Sequence, residues 1–570
     1  MQISITAKSI KNISWLHVTI VLILLIGALG VFTFSNYGIS TDEWLEIQMV
    51  VWHLQSVGSD QYAEPLRTEQ FSEMAYYGLF FNLISIIPYI LMQLLQNPDM
   101  SIGSIISEGL ESGDIYVAKH LSTFLFSLLT YIGLALFTNR LLNWKFASLS
   151  VLLLALTPRF WGHSFFNPKD IPFAALFVLT SYFGVIFVQQ LITTQTSENR
   201  SKIRSGLFVS AAIFGSLAGL LTCVRIGGFV ILGFTILIQI LLQISLKEYW
   251  RIKDLKRGLI AYSIMFFLWG LFTWLWSPIA WSNPLRWFMD AISFMSQHHY
   301  VGYTMAFGHF WSSQDPPPYY LPLWFGITIP LSTLVLATLG WVTFSVQFFK
   351  LTALQRNCFL WLSFEIFALP LIAILKHSPV YGYRHFMFVV PAVVVFATAG
   401  VAFLLKWLRH QFLRISFLTA IAVVYSAVCA EMIHLHPYEY IFFNSFARMP
   451  ELARNFETDY WTISSKEAIE WINRQPGDQK VVYMLNSALT VKPYAAPQIK
   501  FIEQVNDSDD KSIPLPFYYL AVPRRRFPSD PEPLNYLSKC EIQFQVKRNL
   551  SGNEIPLSAV KQCQTPDQLT

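Results

Sequence analysis

Three short segments carry the side chains best suited to chemistry. The first is Ser40-Thr41-Asp42-Glu43, directly after an apolar run that ends near residue 35. A carboxylate held there can act as a general base toward an attacking hydroxyl. The same residues also fit a local folding role: Ser40 caps the helical stretch Trp44–Leu54, Glu43 closes a capping box and Asp42 complements the helix dipole. The second segment is Thr157-Pro158-Arg159-Phe160-Trp161-Gly162-His163-Ser164-Phe165-Phe166-Asn167-Pro168-Lys169-Asp170. The third is Lys376-His377-Ser378-Pro379-Val380-Tyr381-Gly382-Tyr383-Arg384-His385. Arginine grips a phosphate with a planar fork and lysine acts as a point charge, so Arg159, Lys169, Lys376 and Arg384 are candidate anion partners. Each also fits the plainer use of snorkelling to lipid headgroups. Two carboxylates, Asp42 and Asp170, with cations nearby suit group transfer from a phosphate-linked donor.

Those segments are joined by elements that must lie in lipid. Of 570 residues, 54% are hydrophobic and only 13% charged, against about 25% charged in an ordinary soluble domain. Mean hydropathy is +0.44. Disordered, collagenous and disulfide-stapled classes are excluded. Crossing about 30 Å of hydrocarbon takes roughly 20 apolar residues. Eleven such spans are expected, near 14–35, 119–139, 145–158, 171–191, 205–223, 226–246, 258–277, 320–348, 357–375, 385–405 and 413–431. A twelfth apolar stretch, 77–95, contains Asn82 and Pro88 and is expected to lie along the interface.

Charge sets the sidedness. With Lys8 and Lys11 inside, the N-terminus and the alternate loops carry 17 Lys and Arg against only Glu198, Glu248 and Asp254. The positive-inside rule then puts the C-terminus outside and all three chemical segments on the outer face. The net charge of +5 is thus a topology signal and not a nucleic-acid footprint.

Residues 1–431 are expected to form the membrane domain, with an outer loop at 37–118 holding interfacial helices. Residues 432–570 hold 15 basic and 16 acidic residues and no long apolar run, as expected of a small soluble α/β domain on the outer side. Ser464 and Glu467 predict a capping box at a helix start. Strands are expected at Val481–Leu485, at Phe517–Val522 and through Ile542, Phe544 and Val546. Cys540 and Cys563 share this domain, where oxidising conditions permit either a bridge or two free thiols. No cysteine or histidine spacing resembles a metal site, and the adjacent His298 and His299 point different ways on a helix. Glu365 sits midway along a span, where an ionisable group is costly. A transporter or lipid flippase is therefore the rival class, although no duplicated half is visible. A non-catalytic protein that binds lipid-linked sugars is a third class.

The chain resembles the polytopic glycosyltransferases of the C-type fold, in particular the bacterial relatives of protein O-mannosyltransferases and lipid A aminoarabinose transferases in glycosyltransferase family 39. The resemblance rests on the Asp42-Glu43 pair after the first span and on Pro158-Arg159-Phe160 with His163-Ser164-Phe165-Phe166-Asn167-Pro168-Lys169-Asp170-Ile171-Pro172-Phe173. Tyr383-Arg384-His385-Phe386, Asp459-Tyr460-Trp461 and Ser465-Lys466-Glu467 extend it over most of 1–475. It implies a sugar donor on a polyprenyl phosphate, inversion at the anomeric carbon, an acceptor of unspecified kind, and no nucleotide sugar, cofactor or essential metal. Asp42 matches the family's base, and Asp170 the second-loop carboxylate that positions substrates. Lys169, Arg384, Arg159 and Lys376 become the candidate phosphate ligands. Glu43 joins the catalytic set, and His163, Asn167, Tyr383 and His385 shape the substrate site. The chain departs from the pattern at Tyr77-Gly78-Leu79-Phe80, which lacks a basic residue near the donor.

Overall fold

A computed structural model of the chain describes residues 14–57, 63–68, 71–193, 200–247, 252–296, 302–376, 380–448, 452–484, 488–502, 515–523, 536–550, 552–565 and 568. Lys8, Lys11, His298 and His299 fall outside these residues.

A backbone in hydrocarbon must satisfy its own N–H and C=O groups, so the uncharged runs become helices. The first half contains α1 (Trp15–Thr33), α2 (Thr41–Gln55), α3 (Phe80–Gln96), α4 (Ile102–Ser112), α5 (Asp114–Leu141), α6 (Trp144–Ala155), α7 (Pro158–Phe166) and α8 (Asp170–Thr193). There follow α9 (Arg200–Val224), α10 (Val230–Leu246), α11 (Ile252–Leu275), α12 (Pro284–Ser296), α13 (Tyr320–Thr328), α14 (Leu331–Val346), α15 (Ala353–Ser363), α16 (Leu369–Leu375), α17 (Val389–Trp407) and α18 (Gln411–Leu435). Among the described residues nine helices are long and apolar enough to cross a membrane, or ten if the bent pair α13–α14 is one span. The mainly helical, polytopic class stands.

Two of the eleven expected spans depart from plain crossings. The third, 145–158, is only the 12 residues of α6, about 18 Å at about 1.5 Å per residue. Pro158 opens a new helix where that one would have continued. The eighth, 320–348, breaks into α13 and α14 at 116°. Pro330 has no N–H to continue the ladder, and Asn444 fills the break. Its side chain donates to Gly326 O at 2.6 Å and Ile329 O at 2.7 Å, and its backbone N–H to Ile327 O at 2.8 Å.

Burial orders the bundle. The apolar windows of α8 and α17 are 78% and 72% buried, those of α1 and α18 only 17% and 11%. The first pair is therefore core and the second pair rim. α17 reaches α14 through small residues: a Cβ on Gly340 would lie 2.0 Å from Phe396 O, so the two backbones touch. The stretch 77–95 becomes α3, with Phe81, Ser85 and Tyr89 inward and Ile84, Ile87, Leu91 and Leu95 exposed, the one-sided pattern of a helix lying on a surface.

In the loop 278–318, β1 (Tyr303–Ala306) and β2 (His309–Ser312) form an antiparallel hairpin that sequence periodicity does not announce. The C-terminal region adds α19 (Leu452–Asn455), α20 (Ser465–Asn473), β3 (Lys480–Tyr483), β4 (Ile499–Ile502), β5 (Phe517–Ala521), β6 (Glu541–Leu550) and β7 (Asn553–Cys563). They make one mixed sheet in the order β4-β3-β5-β7-β6, parallel at β4-β3-β5 and antiparallel beyond. Cys540 and Cys563 are joined in a disulfide. The expected capping box at Ser464 does not form, because Ser464 Oγ donates to Asp459 and Glu467 pairs with Arg548 at 2.8 Å.

Candidate functional site

The start of α2 separates two neighbouring acids. Glu43 turns back and accepts the Ser40 N–H at 2.7 Å, while its other side faces His120 Nε2 at 3.0 Å. With 1% exposure, Glu43 is absorbed in the capping box and a buried pair. Asp42 points the other way. Its side chain is 43% exposed, lies 3.0 Å from Arg384 Nη1, and sits at the positive end of the α2 dipole.

The α7–α8 junction explains why Asn, Pro and Asp occur in that order. Asn167 Oδ1 accepts the Asp170 N–H at 2.9 Å, capping α8, and Pro168 suits a first helical turn. Asn167 Nδ2 returns to Asp170 Oδ2 at 2.9 Å and meets His163 Nδ1 at 3.2 Å. So oriented, Asp170 pairs with Arg225 at the end of α9. Lys169 swings to the opposite side, 2.5 Å from Glu46 and 4.0 Å above the Tyr77 ring. Tyr77, where the sequence lacks a base, thus holds a cation donated by another segment.

Arg384 is caged by three aromatics, two of them from the C-terminal region. Its guanidinium lies 4.9 Å from the Trp461 ring, 5.4 Å from Tyr460 and 5.6 Å from Tyr381. Burial alone would lower its pKa, but Tyr460, Asp42 and Asp170 outweigh burial and raise it. Tyr460 and Trp461 are held by Asp459, which accepts the N–H groups of Ile463 and Ser464, each at 2.9 Å, and the hydroxyls of Ser464 and Tyr440. Burial raises the pKa of Asp459 even against these four donors.

The structure gathers Asp42, Asp170, Lys169 and Arg384 at one end of the bundle, together with Glu46 and Arg225. Asn167 and His163 stand behind Asp170, and burial lowers the His163 pKa well below its ordinary value, so that ring is neutral. Tyr383 is buried against Phe325 at 5.4 Å, and His385 meets the Tyr381 ring edge-on at 5.9 Å. Two expected phosphate ligands are not brought in. Arg159 is 3% exposed, donates to Phe442 O at 2.8 Å and stacks between Trp324 and Phe443. Burial pushes its pKa down to about 10. Arg159 thus binds α7 to the segment after α18. Lys376 is exposed just beyond the end of α16.

Sequence reasoning does not single out Glu46, yet it lies four residues after Asp42, the spacing that shares a helix face. It also leaves Arg225 as one outward cation among several. Among the described residues no group of three His, Cys, Asp or Glu side chains is arranged to hold a metal ion.

No family model and no curated protein sequence matches the chain. Solved structures do. The oligosaccharyltransferase of Archaeoglobus fulgidus in its apo form superposes with a TM-score of 0.51 at 11% identity, covering 85% of this chain. The match covers 63% of that protein's length. ArnT from Cupriavidus metallidurans covers 98% of this chain and 99% of its own length at a TM-score of 0.47 and 11% identity in the apo state. ArnT bound to undecaprenyl phosphate gives 0.45 at 12% identity, over 96% and 98% of the two chains. The likeness to the oligosaccharyltransferase is one of fold, and the chain has the C-type glycosyltransferase architecture.

Proposed function

We propose that this chain is an integral-membrane glycosyltransferase that moves a sugar from a polyprenyl-phosphate carrier to an acceptor hydroxyl on the extracytoplasmic face. Fold alone does not carry function. The observation that carries the proposal is Asp42: an accessible carboxylate 3.0 Å from a caged guanidinium, with Asp170–Arg225 and Glu46–Lys169 as further acid–cation pairs. The acceptor oxygen attacks the anomeric carbon as Asp42 takes its proton. The bond from that carbon to the phosphate oxygen breaks, and the electron pair leaves with the polyprenyl phosphate. A single displacement of this kind inverts the anomeric centre. Charge gathering on the leaving phosphate needs fixed cations, and Arg384, Lys169 and Arg225 are the three at hand. The exposed apolar face of α3 provides a track for the polyprenyl chain.

The test is turnover of a panel of polyprenyl-phosphate sugars by the purified, reconstituted protein and its Asp42→Asn variant. Sugar release by the wild type, and its loss in the variant, is expected. Normal turnover by Asp42→Asn overturns the assignment of the base.

One observation favours a second reading, translocation of a lipid-linked sugar. Glu365 is 2% exposed in a π-helical turn, Phe364–Ala368, inside a span, where irregular turns often mark function. Proton-coupled flux abolished by Glu365→Gln, without sugar transfer, supports that reading.

A further inference from the structure

The proposed chemistry uses Lys169 but gives no part to the acid that holds it. Glu46 lies one turn after Asp42 on α2 and is 1% exposed. One carboxylate oxygen is 2.5 Å from Lys169 Nζ, and the other accepts a hydrogen bond from Asn82 Nδ2. Asn82 is itself fixed, its Oδ1 accepting from Lys119 Nζ at 2.8 Å, and that buried ammonium also donates to Ser85 Oγ at 3.2 Å. Glu46, Asn82, Tyr77 and Lys169 line a narrow cleft together with Gly78, Phe81, Pro168 and Val224. The Lys169 side chain is 19% exposed, and its ammonium is held against Glu46 and the Tyr77 ring at the edge of that cleft.

We propose that Glu46 is a positioning residue, which through its Asn82–Lys119 support keeps the Lys169 ammonium charged and fixed at the mouth of this cleft, ready for a donor phosphate. The inference rests on the glycosyl-transfer reading for the identity of that phosphate, but its structural half stands without it. A lysine side chain has a flexible four-carbon stem and sheds its proton readily when buried. Burial pulls the Lys169 pKa down, and Glu46, aided by Tyr77, more than reverses this and raises it. The charged and titratable groups facing Lys169 are Glu46 from α2, Tyr77 from the segment before α3, Arg225 after α9 and Lys119 from α5 behind Asn82; Asp170, the next residue in the chain, is engaged by Arg225. Without the Glu46 charge, the ammonium is left between burial and two like charges.

The test uses the full-length protein in lipid nanodiscs and two readouts. In the first, wild type, Glu46→Gln and Glu46→Asp are pulse-labelled with acetic anhydride across a pH series, and Lys169 acetylation is quantified by peptide mass spectrometry. The half-labelling pH of Lys169 is expected to fall by at least about one unit in Glu46→Gln, a tenfold change in proton affinity, and by less in Glu46→Asp, which keeps the charge. In the second, KM for a polyprenyl-phosphate sugar is expected to rise about tenfold in Glu46→Gln with a smaller change in kcat, and an alkaline limb absent from the wild type should enter its pH–rate profile. An unchanged half-labelling pH in Glu46→Gln overturns the positioning role. If Glu46→Gln does not fold, equal half-labelling pH in wild type and Glu46→Asp, where the shortened acid no longer reaches the ammonium, does the same. A wild type that transfers no sugar while the labelling shift is present removes the donor and leaves the Glu46–Lys169 device standing.

Discussion

Two regions of this molecule contain the same side-chain types in opposite states. At the mouth of the bundle, Asp42 is 43% exposed and meets the Arg384 guanidinium, and Arg384, Lys169 and Arg225 keep 15%, 19% and 20% of their side chains accessible. One layer deeper, Asp459 and Glu43 are each 1% exposed; Asp459 receives four hydrogen bonds, and Arg159 is closed between two aromatic rings. The deep acids and cations are closed off from solvent by the fold. Those at the mouth stay partly open to solvent, as the proposed chemistry requires. Residue type therefore separates chemistry from scaffolding less well than remaining access does.

The contrast can be broken first at Asp42. Asp42→Asn is expected to lower kcat by about 10²–10⁴-fold, the usual contribution of a general base, while the melting temperature stays near that of the wild type. Glu43→Gln, three bonds of the chain away, should do the reverse. It loosens the start of α2 and lowers the melting temperature, with whatever activity remains showing a normal pH profile. Thermal unfolding alongside steady-state kinetics checks both.

Arg384→Gln comes next, with about 10²–10³-fold lower turnover, the range seen when one preplaced charge donor is removed from a transition state. Trp461→Ala, which opens the cage around that guanidinium, should cost less, and Trp461→Phe should restore most of the loss. Equal damage from the two substitutions at Trp461 would mean that the ring supports folding and does not orient Arg384.

On the scaffold side, Asp459→Ala leaves four donors without their acceptor. It is expected to destabilise the junction by at least about 2 kcal/mol, read as a lower melting temperature. Sharper still is the effect of acid. Burial pushes the His53 pKa down to about 4 and lowers that of His163 as well. Their unfolded values are about 6.5, so below that pH the unfolded chain binds protons that the folded chain refuses. The stability these neutral rings permit is complete above about pH 6.5 and is lost as pH falls toward 4. Melting curves from pH 7 to 4.5 should show this decline, and His53→Gln should flatten it.

Much of the fold is legible from the sequence because lipid imposes a simple pattern. Among the described residues nine apolar runs become long helices, and the charge-rich tail becomes a mixed sheet with a helix packed on it. The departures come where a local feature overrides hydropathy, as at Pro330, whose break is tolerable only because Asn444 arrives from more than a hundred residues away. The site is legible in part for the same reason. Asp42, Lys169, Asp170 and Arg384 stand out as charges beside apolar runs. Arg159 stands out equally, but nothing in its neighbourhood tells that Phe442 O and two rings will close over it. Glu46 is missed because its meaning depends on Asn82, Lys119 and Lys169, contributed by three other segments.

The most direct measurement follows the donor phosphorus. In ³¹P NMR of the reconstituted wild-type protein with a polyprenyl-phosphate sugar and an acceptor alcohol, the phosphodiester resonance should give way to that of polyprenyl phosphate monoester. The released sugar should carry the inverted anomeric configuration, and Asp42→Asn should leave the diester nearly intact. A folded wild type that binds the donor yet leaves every diester resonance unchanged contradicts the account.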